Sequence, residues 1–136
     1  MFRLIKILNS AQNVPEPQRM RLGSAVTLKS GIPLLLQNGT VAPVTGDTAS
    51  LPTHVALADC TDATEVVLYP ISPDMVFEVP VEGTVSALKT GNEYLVGNDS
   101  LSLTATAASG GKRGAVLVDK TMAEENGLVL VSFPRA

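Results

Sequence analysis

Apolar positions recur along this chain in short bursts, and the residues between the bursts are the kinds that turn a backbone. Between Met75 and Val81, Phe77, Val79 and Val81 alternate with Val76, Glu78 and Pro80. That period of two gives a strand one clearly apolar face. Comparable runs stand at 25–28, 32–36, 40–44, 54–57, 65–71, 84–88, 94–96, 101–104, 115–118 and 128–133. Turns are predicted at Ser30-Gly31, Asn38-Gly39, Thr61-Asp62-Ala63-Thr64, Thr90-Gly91-Asn92, Gly97-Asn98-Asp99-Ser100 and across 109–114. Asn38-Gly39 is the strongest of them, because both residues accept the positive φ of a two-residue hairpin. Pro33 predicts an edge position for its strand, since it lacks a ladder donor. Turns spaced by about 8–12 residues predict an all-β sandwich or barrel. One short helix is expected before the last strand: Thr121 and Glu124 have capping-box spacing, and Gly127 suits the position beyond a helix end.

The first 22 residues read differently from the rest. Val14, Pro15, Glu16 and Pro17 interrupt regular structure, because each proline removes a donor and restricts its predecessor. Before them, Phe2, Leu4, Ile5, Ile7 and Leu8 are dense in apolar side chains; Phe2, Leu4, Ile5 and Leu8 would share one face of a short helix, and the same run could instead be an extended strand added to a neighbour. After them, Arg19, Met20, Arg21 and Leu22 alternate as an edge strand would. The expected organisation is an N-terminal docking arm over 1–22 and a single β-domain over 23–136. Phe2, Leu4, Ile5, Ile7 and Leu8 are the residues expected to contact a partner, because an exposed apolar arm with nothing to cover it is an aggregation liability.

Composition narrows the function classes. The chain has 136 residues, about one domain, with 45% hydrophobic and 17% charged residues; about 25% charged is usual for globular chains. Ser, Thr, Gly, Asn and Ala replace the missing charge and leave a surface suited to contact with another protein. A net charge of −3 argues against nucleic acid as the main partner, since phosphate binding needs a basic face. With 4% aromatic residues and no Trp, stacking platforms are not expected. The single cysteine, Cys60, rules out an intrachain disulfide. No apolar run approaches the ~20 residues of a membrane span. The start MFRLIKILNS resembles a signal peptide in charge, but Lys6 interrupts it and no small-residue cleavage site follows.

Groups suited to catalysis are sparse. His54 is the only histidine, with Asp59, Cys60 and Asp62 close behind. By residue type, Cys60 and His54 could make a nucleophile, and His54, Asp59, Cys60 and Asp62 could bind a metal, but the spacing matches no ligand pattern. The expectation is a partly exposed His54 at a strand start and a buried, inert Cys60. The Gly-rich stretch 109–114 lacks the P-loop layout: Thr106 stands at the first glycine position, Arg113 at the Ser/Thr position, and a strand follows. A hairpin loop is expected there. Asn38-Gly39-Thr40 and Asn98-Asp99-Ser100 match the glycosylation pattern and are read as turns. No catalytic residue, metal, cofactor or small-molecule substrate is expected.

Two resemblances bear on function. Val81–Ser86 followed by Thr90–Gly97 is similar to the hairpins of biotinyl and lipoyl carrier domains. Those domains carry a modified lysine between hydrophobic residues at a tight turn, whereas Lys112 lies beside Arg113 in a Gly-rich loop. Hairpin geometry is therefore what is shared. The second resemblance covers most of 24–133. AVTLKSGIPL from Ala25, VFEV from Val76, TGNEYLV from Thr90, GAVLVD from Gly114 and the strand from Leu128 to Phe133 follow one another in an order that resembles small decoration, or cement, proteins of tailed-bacteriophage capsids. The resemblance is one of overall style, without a diagnostic motif. It implies a compact β-barrel or β-tulip domain with an N-terminal arm, and a structural virion protein made in the host cytoplasm and bound to the outer capsid surface. It implies the major capsid protein as partner, self-association as a homotrimer, and no membrane contact. The alternative is another virion part, such as a head fibre base, a tail tube or an adaptor; an unrecognised enzyme or a carrier domain stands further off.

Overall fold

The computed structural model describes residues 1–8, 16–46, 50–120 and 126–134. They form eleven strands: β1 (Arg3–Ile7), β2 (Gln18–Leu28), β3 (Pro33–Gln37), β4 (Thr40–Pro43), β5 (His54–Ala56), β6 (Cys60–Pro70), β7 (Met75–Glu82), β8 (Glu93–Val96), β9 (Leu103–Ala107), β10 (Ala115–Lys120) and β11 (Leu128–Ser132). The protein is all-β, as its turn spacing predicts. The strands make two closed or nearly closed systems. β2-β4-β3-β5-β6 form a closed barrel, and β1-β7-β11-β10-β8-β9 form a second sheet that an additional β7–β9 pairing brings back on itself.

Local chemistry explains much of this. Asn38 and Gly39 take φ of 53° and 84° and join β3 to β4 with Gln37 opposite Thr40, the primed turn that matches strand twist. Pro33 is not at an edge, because β3 lies between β4 and β5. It is tolerated as the first residue of its strand, and its carbonyl accepts the Val44 amide at 2.9 Å. The turn expected at Thr61–Thr64 lies inside β6. There Asp62 has φ 46° and its amide donates to Thr27 Oγ1, while the β2–β6 register shifts twice beyond Arg21. Turn-prone residues are absorbed as a bulge that bends a long ribbon. The strand expected at 84–88 is a single 3-10 turn, Val85–Ala87; Gly83, at φ 121°, redirects the chain just before it. The helix expected at 121–126 falls mostly outside the described residues.

Most of the larger core lies within the second sheet and extends to the barrel. Phe77, Val79, Val81, Leu103, Leu117, Val129, Val131 and Phe133 meet Val44, Leu51, Val55 and Tyr69 from the barrel region in one buried cluster. A smaller cluster of Leu22, Leu28, Ile32, Leu34, Val41, Ala56, Val66 and Leu68 fills the barrel. Val55 and Ala56 therefore serve different cores from adjacent positions, as the alternation of a strand requires.

The division into an arm over 1–22 and a body over 23–136 needs correction at both ends of the arm. Residues 18–22 belong to β2, where Gln18–Arg21 pair with Leu68–Glu65 of β6. Residues 3–7 are a strand of the second sheet, antiparallel to β7. Phe2 is fully buried, with its ring 5.4 Å from that of Phe133. An aromatic side chain gains more from a closed core than from a solvent-facing arm.

Candidate docking face

The five residues expected to dock lie on β1 and at its two ends and meet three fates. Phe2 is core. Leu4 and Ile7 are half-buried and pack against the large cluster. Ile5 and Leu8 remain in solvent, 40% and 63% exposed. A register shift between Leu4 and Lys6 breaks the simple alternation and leaves both Ile5 and Lys6 outward.

β1 is anchored at both ends. The Phe2 amide donates to the Gly31 carbonyl at 3.0 Å, and the Leu8 amide donates to the Asp74 carbonyl at 2.8 Å. Arg3 forms an ion pair with Glu78 of β7. Among the described strands, β1 has a ladder only with β7, so its other edge offers unpaired backbone groups. Such an edge is a template for further strand or loop contact. Gly31 permits the anchoring: it holds φ 82°, and a Cβ there would lie 2.7 Å from Met1 Cβ and 3.1 Å from the Phe2 carbonyl.

Beside the start of β1 lies an apolar cleft of about 320 Å³, lined by Phe2, Leu4, Pro17, Ala56, Leu57 and Tyr69 among others. Leu57 is 46% exposed at its rim. Burial pushes the Tyr69 phenol up to about 12. Sequence reading missed this cleft, because its walls come from segments far apart along the chain.

The residues weighed for chemistry serve structural ends. His54 is buried rather than partly exposed, because it alternates with Val55 and faces the barrel beside Leu34 and Pro70. Its Nδ1 lies 2.8 Å from Thr53 Oγ1, and burial lowers its pKa. Asp59 accepts the Ser30 amide at 2.7 Å. Cys60 is half-buried rather than buried, with Sγ 3.9 Å from the Val26 carbonyl. Among the described residues, no group of three or more His, Cys, Asp and Glu side chains is placed to hold a metal ion. The stretch 109–114 is a turn rather than the expected hairpin loop, because β9 and β10, which it joins, lie on either side of β8; Gly110 and Gly111 take φ 63° and 84° there, and Arg113 is bonded to Glu93 at 3.1 Å.

No protein-family model and no curated protein sequence matches the chain. Among solved structures, it is similar to the N base of head fiber gp8.5 of bacteriophage phi29. The match has a TM-score of 0.51 at 17% identity, and covers 90% of this chain and 97% of that one. The likeness is one of fold.

Proposed function

We propose that this protein is a non-enzymatic structural component of a bacteriophage virion, and that it forms the base of a head fibre seated on the capsid. The observation that carries this reading is the fold likeness to the phi29 head-fibre base, which runs over nearly the whole of both chains. The resemblance to capsid decoration proteins points to the same compartment, and of the two the fold likeness better supports a head fibre base. The low-charge surface and the structural use of His54, Asp59 and Arg113 fit a part that binds another protein.

In this reading the outer edge of β1, with Ile5 and Leu8, faces the major capsid protein. Self-association as a homotrimer would present several such edges together, and multivalency would strengthen attachment without any new contact type. The test is cryo-electron microscopy of particles made with and without the gene. Heads that lose a projecting fibre but keep their stability support the proposal. Heads that keep their fibres but become fragile point to a cement protein instead, and absence of the protein from purified particles removes the virion reading altogether.

A further inference from the structure

The tip of the β3–β4 hairpin carries a reactive dipeptide that the barrel uses only as a turn. We propose that Asn38 is a site of spontaneous deamidation in the folded protein, forming aspartate and isoaspartate, ahead of the chain's other Asn-Gly pair, Asn126-Gly127. This inference is independent of the virion reading.

Asn38 and Gly39 are both exposed. A Cβ built at Gly39 would meet nothing within 4 Å, so there is room for a five-membered ring. The Asn38 side chain makes no hydrogen bond among the described residues. In the reaction, the Gly39 amide nitrogen bonds to Cγ of Asn38 and loses its proton, and the side-chain nitrogen leaves as ammonia. Water then opens the succinimide at one carbonyl or the other, giving aspartate or isoaspartate. No electrons are exchanged, and water is the sole co-reactant. Asn38 must leave its left-handed conformation for the attack, but only the two tip residues need move, since Gln37 and Thr40 close the ladder behind them.

Asn126 provides the internal contrast. It has the same left-handed backbone, at φ 56°, and the same following glycine. Its amide, however, donates to the Gly83 carbonyl at 2.9 Å, and its Oδ1 accepts the Gly83 amide at 3.1 Å. Gly127 is buried, and its carbonyl accepts the Val81 amide at 2.9 Å. Main chain and side chain are both held away from the attack geometry.

The experiment incubates the purified full chain in mildly alkaline buffer and follows tryptic peptides by mass spectrometry. The peptide from Ser30 to Lys89 contains Asn38 as its only asparagine, and the peptide from Thr121 to Arg135 contains only Asn126. The expected result is a one-dalton gain at Asn38 several times faster than at Asn126, with part of the product accepting a methyl group from an isoaspartyl methyltransferase. Asn38→Asp should abolish the early release of ammonia. The urea-unfolded chain serves as reference, and both sites should convert in it at similar rates. The proposal is overturned if Asn126 converts as fast as Asn38 in the folded protein, or if Asn38 stays intact over an interval in which the unfolded chain converts.

Discussion

The ring of Phe2 lies 5.4 Å from the ring of Phe133 at an angle of 43°, and Phe133 meets Phe77 edge-on at 5.7 Å. The first and last strands of the fold are thus joined through an aromatic group that is shut off from solvent. Phe2→Ala should therefore cost about 3–5 kcal/mol of stability, as large-to-small changes in packed cores do. Urea unfolding followed by circular dichroism measures this. A loss no larger than that of an exposed substitution would mean that β1 does not dock as described.

Close backbone approach makes two glycines more demanding than their neighbours. At Gly31, alanine adds left-handed strain of about 1–2 kcal/mol and crowds Met1 and Phe2. At Gly114 the difficulty is space alone: an added Cβ would fall inside the carbonyl of Tyr94 on β8, forcing apart the Ala115–Tyr94 pairing. Gly114→Ala should be the more damaging of the two. Gly91→Ala, with a positive φ but nothing nearby, should show the strain alone. The three melting temperatures should fall in that order, and equal losses would contradict the close approach.

These effects show where the sequence was legible and where it was not. Phe77, Val79 and Val81 announced the inner face of β7, and Asn38-Gly39 announced a hairpin, because both signals are local. Membership of β1 in the core was hidden, because Pro15 and Pro17 suggested detachment and the shift after Leu4 disturbs its alternation. Thr61–Thr64 misled because turn-prone residues also make bulges, and 84–88 misled because β-branched residues such as Thr84 and Val85 can stand at the start of a 3-10 turn as well as in a strand. The cleft beside β1 depends on Pro17, Leu57 and Tyr69 meeting in space. No pattern along the chain encodes that meeting.

Acid should weaken the fold through His54. Its pKa is lowered in the folded protein by burial, so the unfolded chain binds the proton first as pH falls through about 6.5. Stability is then lost progressively below that pH until the folded-state pKa is reached. His54 Nδ1 lies 2.8 Å from Thr53 Oγ1, which already receives the Leu36 amide at 2.9 Å. Thermal melts between neutral pH and mildly acidic pH, above the range where carboxylates titrate, should show a falling midpoint in the native chain. His54→Gln should lower the midpoint at neutral pH but flatten its slope with pH. An unchanged slope would assign the acid response to other groups.

Attachment, if it runs through the outer edge of β1, should separate cleanly from folding. Ile5 and Leu8 are exposed, so Ile5→Ser and Leu8→Ser should change stability by no more than about 0.5 kcal/mol, the usual range for surface sites. Burial of each side chain against a partner would contribute roughly 1.5–3 kcal/mol, so the double variant should lose at least about a hundredfold in affinity, at 1.4 kcal/mol for each factor of ten. Substitution is the right instrument here, because deleting the segment would also remove Phe2 from the core. Co-sedimentation with capsids that lack the protein, alongside urea melts of each variant, distinguishes the two effects. Full binding by a folded double variant would place the contact elsewhere on the barrels, with the cleft around Leu57 the next surface to alter. Loss of binding with intact folding would locate the attachment edge at β1.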